Sequence, residues 1–166
     1  MGYTTEFDGH INIAPPLNAQ EIKFIRDHNA TRRMKRNNGA YYVGSTNNFG
    51  QDKEADIIEY NAPPEPQLSL WCGWTCNDEG TRIEWDGGEK FYSSAEWMKW
   101  LIEHILGDNP LAKTRTENMR FLQGHTLNGE IQAQGEESDD KWLLTVKDNK
   151  IFISNAITKY EAPQPL

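Results

Sequence analysis

Apolar and polar residues alternate along several short stretches of the chain, which is the pattern of half-buried β-strands. Near the start, a three-residue hairpin loop at Asp8-Gly9-His10 pairs Phe7 with Ile11 and keeps the apolar residues on one face. That face then holds Tyr3, Thr5, Phe7, Ile11 and Ile13. A two-residue loop mixes the faces, so burial favours the longer loop.

The same argument predicts a second hairpin around the loop Asp86-Gly87-Gly88. Its register pairs Ile83 with Phe91 on an apolar face, and Glu84 with Lys90 on a polar face. An opposite-charge pair across two strands stabilises such a register.

Each predicted hairpin leads into a predicted amphipathic helix that begins with a capping box. Asn18 precedes Glu21 by three residues, and Ser93 precedes Glu96 by three, so a cap side chain and a carboxylate satisfy free amides reciprocally. The pattern therefore predicts one domain over residues 1–166, in which two hairpin-helix halves, 1–61 and 68–160, are joined by a Pro-rich connector, 62–67. Duplication and convergence both remain open as the origin of the halves.

Further alternation predicts a strand at Leu68–Cys76 and a C-terminal meander. In the meander, Val146 pairs with Ile151 and Leu144 with Ile153 across a turn at Asp148-Asn149. Leu127–Gln134 is a strand with one fully polar face, made by Asn128, Glu130, Gln132 and Gln134. The predicted fold class is α+β: an antiparallel sheet, two principal amphipathic helices on one face, and a C-terminal β-meander.

Composition supports a folded domain. The 166 residues are 37% hydrophobic and include six Trp, six Tyr and six Phe, which disordered chains lack. No stretch approaches the roughly 20 apolar residues of a membrane-spanning helix, and residues 1–20 lack the pattern of a secretory signal. Two Cys do not form a disulfide framework. We therefore expect no membrane partner and a cytoplasmic location.

Charge is unevenly distributed along the chain. Residues 1–50 carry a net charge of +2 and the remainder −10, and five of the cations fall within residues 26–36. Binding to duplex nucleic acid normally needs a broad basic surface, so it is not expected here. A small anionic ligand needs only a few cations, and the local cluster fits that requirement.

No residue set predicts a catalytic site, a cofactor or a metal. Cys72 and Cys76 alternate onto an apolar strand face, and no second tight Cys or His pair completes a zinc site. The acidic run Glu136–Asp140 lacks the ligand spacing of a calcium loop. A rival interpretation is a hydrolase that acts through Glu84 or Asp86 with a cation near Glu136.

The favoured interpretation is a ligand-binding site of nucleotide type, which needs cations, an aromatic face and hydrogen-bonding groups. The cations are Arg32, Arg33, Lys35 and Arg36, and the stacking residues are Trp71 and Tyr92. The hydrogen-bonding residues on polar strand faces are Arg82, Glu84, Lys90, Gln132 and Gln134. Periodicity alone does not bring these segments together.

Three segments carry a resemblance to a known group of proteins. They are MGYTTEFDG at residues 1–9, IEWDGGEKFY at 83–92, and LNGEI at 127–131 with QGE at 134–136. Together they resemble an uncharacterised family of small acidic proteins from bacteria and their phages, for which no catalytic residues transfer. The resemblance implies a phage protein in the host cytoplasm that counters host defence, by sequestering a nucleotide-derived signal. The alternative is an acidic inhibitor that binds a host defence protein directly by mimicking nucleic acid.

Overall fold

Eight strands and three α-helices lie in residues 2–44 and 56–166, which the computed structural model describes. The strands are β1 Glu6–Ala14, β2 Lys35–Arg36, β3 Ile57–Glu59, β4 Trp74–Cys76, β5 Arg82–Trp85, β6 Thr126–Gln134, β7 Lys141–Lys147 and β8 Lys150–Asn155. The helices are α1 Ala19–Ala30, α2 Ser94–Leu101 and α3 Leu111–Arg115, with a π-helical turn at Ile102–Leu106 and a 3₁₀ turn at Glu117–Met119.

Six strands form the main antiparallel sheet, in the order β4-β5-β1-β6-β7-β8. Strands β2 and β3 form a separate two-stranded sheet. The α+β class with a C-terminal β-meander is therefore confirmed.

The prediction of a first hairpin is wrong, because β1 is one uninterrupted strand. It pairs along its whole length with β6, and Phe7 lies opposite Ala133 while Ile13 lies opposite Leu127. A three-residue loop and a continuous strand both keep odd-numbered residues on one face, so alternation did not distinguish them. Gly9 has φ +111°, and a Cβ atom there would lie 2.5 Å from the Glu130 backbone oxygen. Gly9, which the sequence pattern places in a turn, therefore lies where β1 and β6 approach each other closely.

The second hairpin is also wrong. Strand β5 pairs with β4, where Trp85 lies opposite Trp74, and with β1, where Ile83 lies opposite Ile11. Phe91, the predicted partner of Ile83, lies outside any strand. Ile11, which is distant in sequence, is opposite Ile83 instead. Glu84 likewise forms its ion pair with Arg82, at 3.5 Å, on its own strand.

The C-terminal meander matches its predicted register. Val146 lies opposite Ile151, Leu144 lies opposite Ile153, and Asp148 and Asn149 take the positive φ values of a tight two-residue turn. The polar row of β6 faces outward, with Asn128, Glu130 and Gln132 exposed and Gln134 half-buried.

Both principal helices pack on the inner face of the sheet. Helix α1 has the predicted capping box, in which Asn18 Oδ1 accepts from Glu21 N at 2.8 Å and Glu21 Oε1 accepts from Asn18 N at 2.9 Å. The predicted box of α2 is absent, because Ser93 has φ 57° and its side chain makes no cap bond. The long predicted strand over 68–76 is reduced to β4.

One core cluster fills the space between the sheet and the helices. It contains Ile11 and Phe24 from before the Pro-rich connector and Trp97, Leu127 and Leu144 from after it. The connector itself contains a turn, in which Gln67 N donates to Pro64 O at 2.8 Å. No helix within residues 2–44 and 56–166 is long and apolar enough to span a membrane.

Candidate functional site

Arg33, predicted to bind an anionic ligand, is buried and forms hydrogen bonds with other segments of the chain. Its Nε donates to Gln67 Oε1 at 3.1 Å, Nη1 to Tyr42 O at 2.6 Å and Nη2 to Ala40 O at 2.9 Å. Burial lowers the pKa of its guanidinium to about 10. The side chain therefore links neighbouring loops within the protein, and ligand binding by Arg33 stays a prediction.

The other three predicted cations have separate environments. Arg36 is buried, pairs with Asp56 at 3.1 Å, and lies 4.2 Å from the centre of the Tyr42 ring. Lys35 is exposed on β2, opposite Glu59 of β3. Arg32 donates through Nη2 to Asn61 Oδ1 at 3.2 Å. Only Arg32 borders the aromatic site described next.

Trp71 and Tyr92 line one open groove of about 690 Å³. Trp71 is 38% exposed and Tyr92 48% exposed, so both rings present a face to solvent. We call this the Trp71–Tyr92 groove; it is lined by Asn29, Asn61, Pro63, Leu68, Ser69, Leu70, Trp71, Cys72, Gly73, Asp86, Gly88, Glu89, Lys90, Phe91 and Tyr92. The structure thus brings together three predicted site residues, Trp71, Lys90 and Tyr92.

Hydrogen bonds fix the polar floor of the groove. Asn29, near the end of α1, donates through Nδ2 to Cys72 O and to Asp86 Oδ2, both at 2.8 Å. Asp86 Oδ1 accepts from Gly88 N at 2.7 Å. Both amide hydrogens of Asn29 are used, and its Oδ1 remains available as an acceptor. The site therefore offers fixed polar atoms beside two aromatic rings.

The segment that carries Lys90 and Tyr92 has an unusual backbone. Lys90 has φ 59° and Ser93 has φ 57°, a left-handed conformation that costs free energy for residues other than glycine. Tyr92 Oη accepts from Tyr3 N at 3.2 Å, which ties this segment to the start of the chain. Strain of this kind concentrates where a fold positions functional side chains.

Gln132 and Gln134 lie elsewhere, in a second groove of about 660 Å³ that also includes Trp85, Lys141 and Trp142. We call it the Trp85–Trp142 groove. Arg82 and Glu84 lie on β5 and pair with each other. The predicted residues therefore occupy several places, which answers a question that the sequence left open.

The acidic loop after β6 anchors the N-terminal segment. Glu136 Oε1 accepts from Thr4 N at 2.7 Å, and Tyr3 donates its hydroxyl to Asp140 Oδ2 at 2.6 Å. Among the described residues, no group of three or more His, Cys, Asp or Glu side chains is arranged to hold a metal ion. The two cysteines are buried thiols, and burial raises the pKa of Cys72 to about 12.

Two histidines form a buried stack with a tryptophan. The rings of His28 and Trp100 lie 5.2 Å apart at 17°, and those of Trp100 and His104 lie 4.7 Å apart at 15°. The Tyr41 hydroxyl and His104 Nδ1 form a hydrogen bond of 2.7 Å. Burial lowers the pKa of His28 well below its ordinary range and that of His104 to about 4. Both rings are therefore neutral at pH 7.

A third histidine is buried in charged form. His125 Nδ1 lies 2.6 Å from Pro15 O, which only accepts, and its Nε2 lies 2.7 Å from Glu21 Oε2. Burial alone would lower the pKa of His125, but the bonds to Glu21 and Pro15 outweigh it and leave that pKa raised. For Glu21, burial raises the pKa, and hydrogen bonds from His125, Asn18 and Gln123 together leave it lowered. This ion pair is structural.

Sequence reasoning missed the amides and the small residues of the Trp71–Tyr92 groove. Asn29 and Asn61 lie far apart in sequence, and neither has a local motif. Gly73 also gave no signal, although a Cβ there would lie 2.5 Å from the Phe91 ring.

Comparison with models of protein families, with characterised proteins and with solved structures found no match.

Proposed function

We propose that this protein is a non-enzymatic binding protein that takes a small planar ligand of nucleotide type in the Trp71–Tyr92 groove. The observation that carries the proposal is the pair of half-exposed aromatic rings lining one groove with fixed amide and carboxylate groups. Stacking of a base on an aromatic ring contributes about 1–3 kcal/mol. Pockets of several hundred Å³ suit ligands of this size.

The polar groups of the groove suit recognition of a heterocycle. Asp86 and the free Oδ1 of Asn29 accept hydrogen bonds, as the exocyclic amino groups of bases require. Lys90 lies within the lining, and Arg32 contacts Asn61 at the rim. With Arg33 and Arg36 buried, two cations remain for a phosphate, so we expect one or two phosphate groups to be bound.

The resemblance to phage proteins suggests what the ligand does. We propose that it is a nucleotide-derived signal of host defence, which the protein sequesters without altering it. Sequestration needs affinity and no reacting group, in keeping with a groove built from stacking and hydrogen-bonding residues.

The alternative of an acidic inhibitor depends on gathering like charge on one surface. The outer sheet face carries Glu6, Asp8, Glu84 and Glu130, but Arg82 of β5 and Lys141 of β7 lie on the same face. This mixed face gives weaker support than the aromatic groove does. In the hydrolase alternative Glu136 would be a ligand of the cation, and its Oε1 already accepts a hydrogen bond from Thr4 N.

The test begins with the purified protein. After denaturation, mass spectrometry and absorbance at 260 nm identify any released nucleotide. The emptied protein is then titrated calorimetrically with cyclic di- and trinucleotides and with ADP-ribose.

Matched variants locate the binding. We expect Trp71→Ala and Tyr92→Ala to weaken binding by about 5–150-fold, because each removes about 1–3 kcal/mol of stacking. Tyr160→Ala removes a tyrosine from the exposed C-terminal segment, and it should bind like the unmodified protein. Absence of binding by every compound, or equal binding by all three variants, contradicts the proposal.

A further inference from the structure

Strand β8 is an open edge of the main sheet. Ala156 N donates to Lys141 O at 2.9 Å, so even-numbered residues of this strand direct their backbone groups toward β7. Because the direction alternates along an antiparallel strand, the N–H and C=O groups of Ile151, Ile153 and Asn155 point away from the sheet. An extended strand placed beside β8 would satisfy these groups.

The edge is also apolar. Phe152 is 51% exposed on the outer face, and Ile153 is 49% exposed on the inner face. Just beyond the strand, Ile157 is 88% exposed. Monomeric proteins usually protect such edges with charges, proline or a bulge. Residues 151–157 contain no charge and no proline, and the pairing of β8 with β7 has no register shift.

A groove of about 440 Å³ lies beside this edge, between β8 and α2. Its lining combines the apolar residues Ala95, Ile102, Ile151 and Ile153 with Asn149 and the charged residues Glu96, Lys99, Glu103 and Lys150. The groove therefore meets the edge strand where an approaching chain would pass.

We infer, independently of the proposed function, that β8 pairs antiparallel with β8 of a second copy about a two-fold axis at Ile153. This register sets Ile151 opposite Asn155 of the second copy, so all three outward-facing residues form hydrogen bonds. Shifting the axis by one residue, to Phe152, leaves Asn155 opposite the turn residue Asn149. The two six-stranded sheets become one continuous sheet.

The same register accounts for the exposed Ile157. It lies opposite Asn149 of the other copy, and its side chain has the inner-face parity of Ile153. Ile157 of each copy therefore lies on the side of the other copy's groove between β8 and α2, where Ile151 and Ile153 supply apolar surface. Two-fold symmetry makes this contact twice in the dimer, so the exposed Ile157 of each copy is buried.

The uncharged edge allows a second copy to approach. The chain has a net charge of −8, so two copies repel unless they meet on an uncharged surface. Residues 151–157 are that surface, and in this register Lys150 lies opposite Ala156, so no like charges face each other. In the two-fold register one edge supplies both sides of the contact, because the same three outward-facing residues of each copy pair with one another.

The experiment is light scattering after size exclusion, across a wide range of concentration, with hydrogen exchange on the same samples. We expect twice the mass of one chain at high concentration. The amides of Ile151, Ile153 and Asn155 should exchange more slowly as the dimer forms. Ile157→Asp should raise the dimer dissociation constant roughly tenfold or more. The control is Ile58→Asp, since Ile58 is a 55% exposed isoleucine on β3, and it should leave the dissociation constant unchanged.

Several results would overturn the inference. They are a single-chain mass at every concentration, a dimer that Ile157→Asp and Ile58→Asp affect equally, or polydisperse aggregates. Amides protected equally at all concentrations would show that the C-terminal residues of the same copy cover the edge. If Ile157→Asp does not fold, hydrogen exchange of the β8 amides in the unmodified protein still tests whether the dimer forms.

Discussion

Acidification should destabilise the protein through its buried histidine stack. The perturbation is a fall in pH from 7.5 to 5, and the group is His104, whose pKa falls to about 4 mainly because the ring is buried. In the unfolded chain this histidine takes up a proton near pH 6.5, and in the folded protein only near pH 4. Its contribution to stability is therefore lost as pH falls between these values.

The magnitude follows from the two pKa values. Each unit corresponds to about 1.36 kcal/mol, so the full shift is worth about 3 kcal/mol, of which about 2 kcal/mol is lost by pH 5. His28 has a lowered pKa for the same reason and adds to the loss. The Glu21–His125 pair opposes part of this loss above pH 6.5, because the raised His125 pKa gives stability that increases as pH falls toward 6.5 and is complete below it. The lowered Glu21 pKa gives stability that is lost only below about 4.5. Both contributions are the same in His104→Gln, so they cancel in the comparison.

The assay is urea unfolding at pH 7.5, 6 and 5 for the unmodified protein and for His104→Gln. The variant should be less stable at pH 7.5, because it loses the contact with Trp100. Its loss of free energy of unfolding between pH 7.5 and 5 should be smaller by about 2 kcal/mol. His10→Gln, on the outer face of the sheet, is the control for the exchange itself. Equal losses in the unmodified protein and His104→Gln would refute the reasoning.

Three further changes test the fold. Glu21→Gln should cost about 3–5 kcal/mol in urea unfolding, because it leaves the buried His125 charge uncompensated, and a loss below 1 kcal/mol would contradict the ion pair. Gly9→Ala should lower the thermal midpoint more than Gly39→Ala, since both have positive φ but only at Gly9 would the new Cβ meet a backbone atom. Removing residues 1–64 should abolish cooperative unfolding in circular dichroism, because β1 lies between β5 and β6; an unchanged transition would mean that the remainder has its own core.

The sequence predicts the fold class better than the strand pairing, for a physical reason. Alternation assigns each residue to a face, and the faces of β1, β6 and β7 match the prediction. It carries no information on which strands are neighbours, so β1 was mistaken for a hairpin although Phe7, Ile11 and Ile13 share a face either way. Only the C-terminal meander, whose strands are joined by a two-residue turn, has a register determined by local sequence.

The candidate site was predictable only in part. Trp71 stood out because a tryptophan interrupts the polar side of an alternating run, and it does line a groove with Lys90 and Tyr92. The cation cluster was a poor guide to the site, because the sequence shows which residues are charged but not whether their side chains are exposed. Arg33 and Arg36 are buried among carbonyl and carboxylate partners that come from other segments.

The central claim is that ligand binds between Trp71 and Tyr92, and mapping amide and indole NMR shifts during titration with ADP-ribose tests it most directly. We expect shifts at the Trp71 indole and at the side-chain amides of Asn29 and Asn61. The Trp85 indole, in the Trp85–Trp142 groove, should not move. Shifts confined to Trp85 and Gln132, or none anywhere at saturating ADP-ribose and cyclic dinucleotide, would contradict the account.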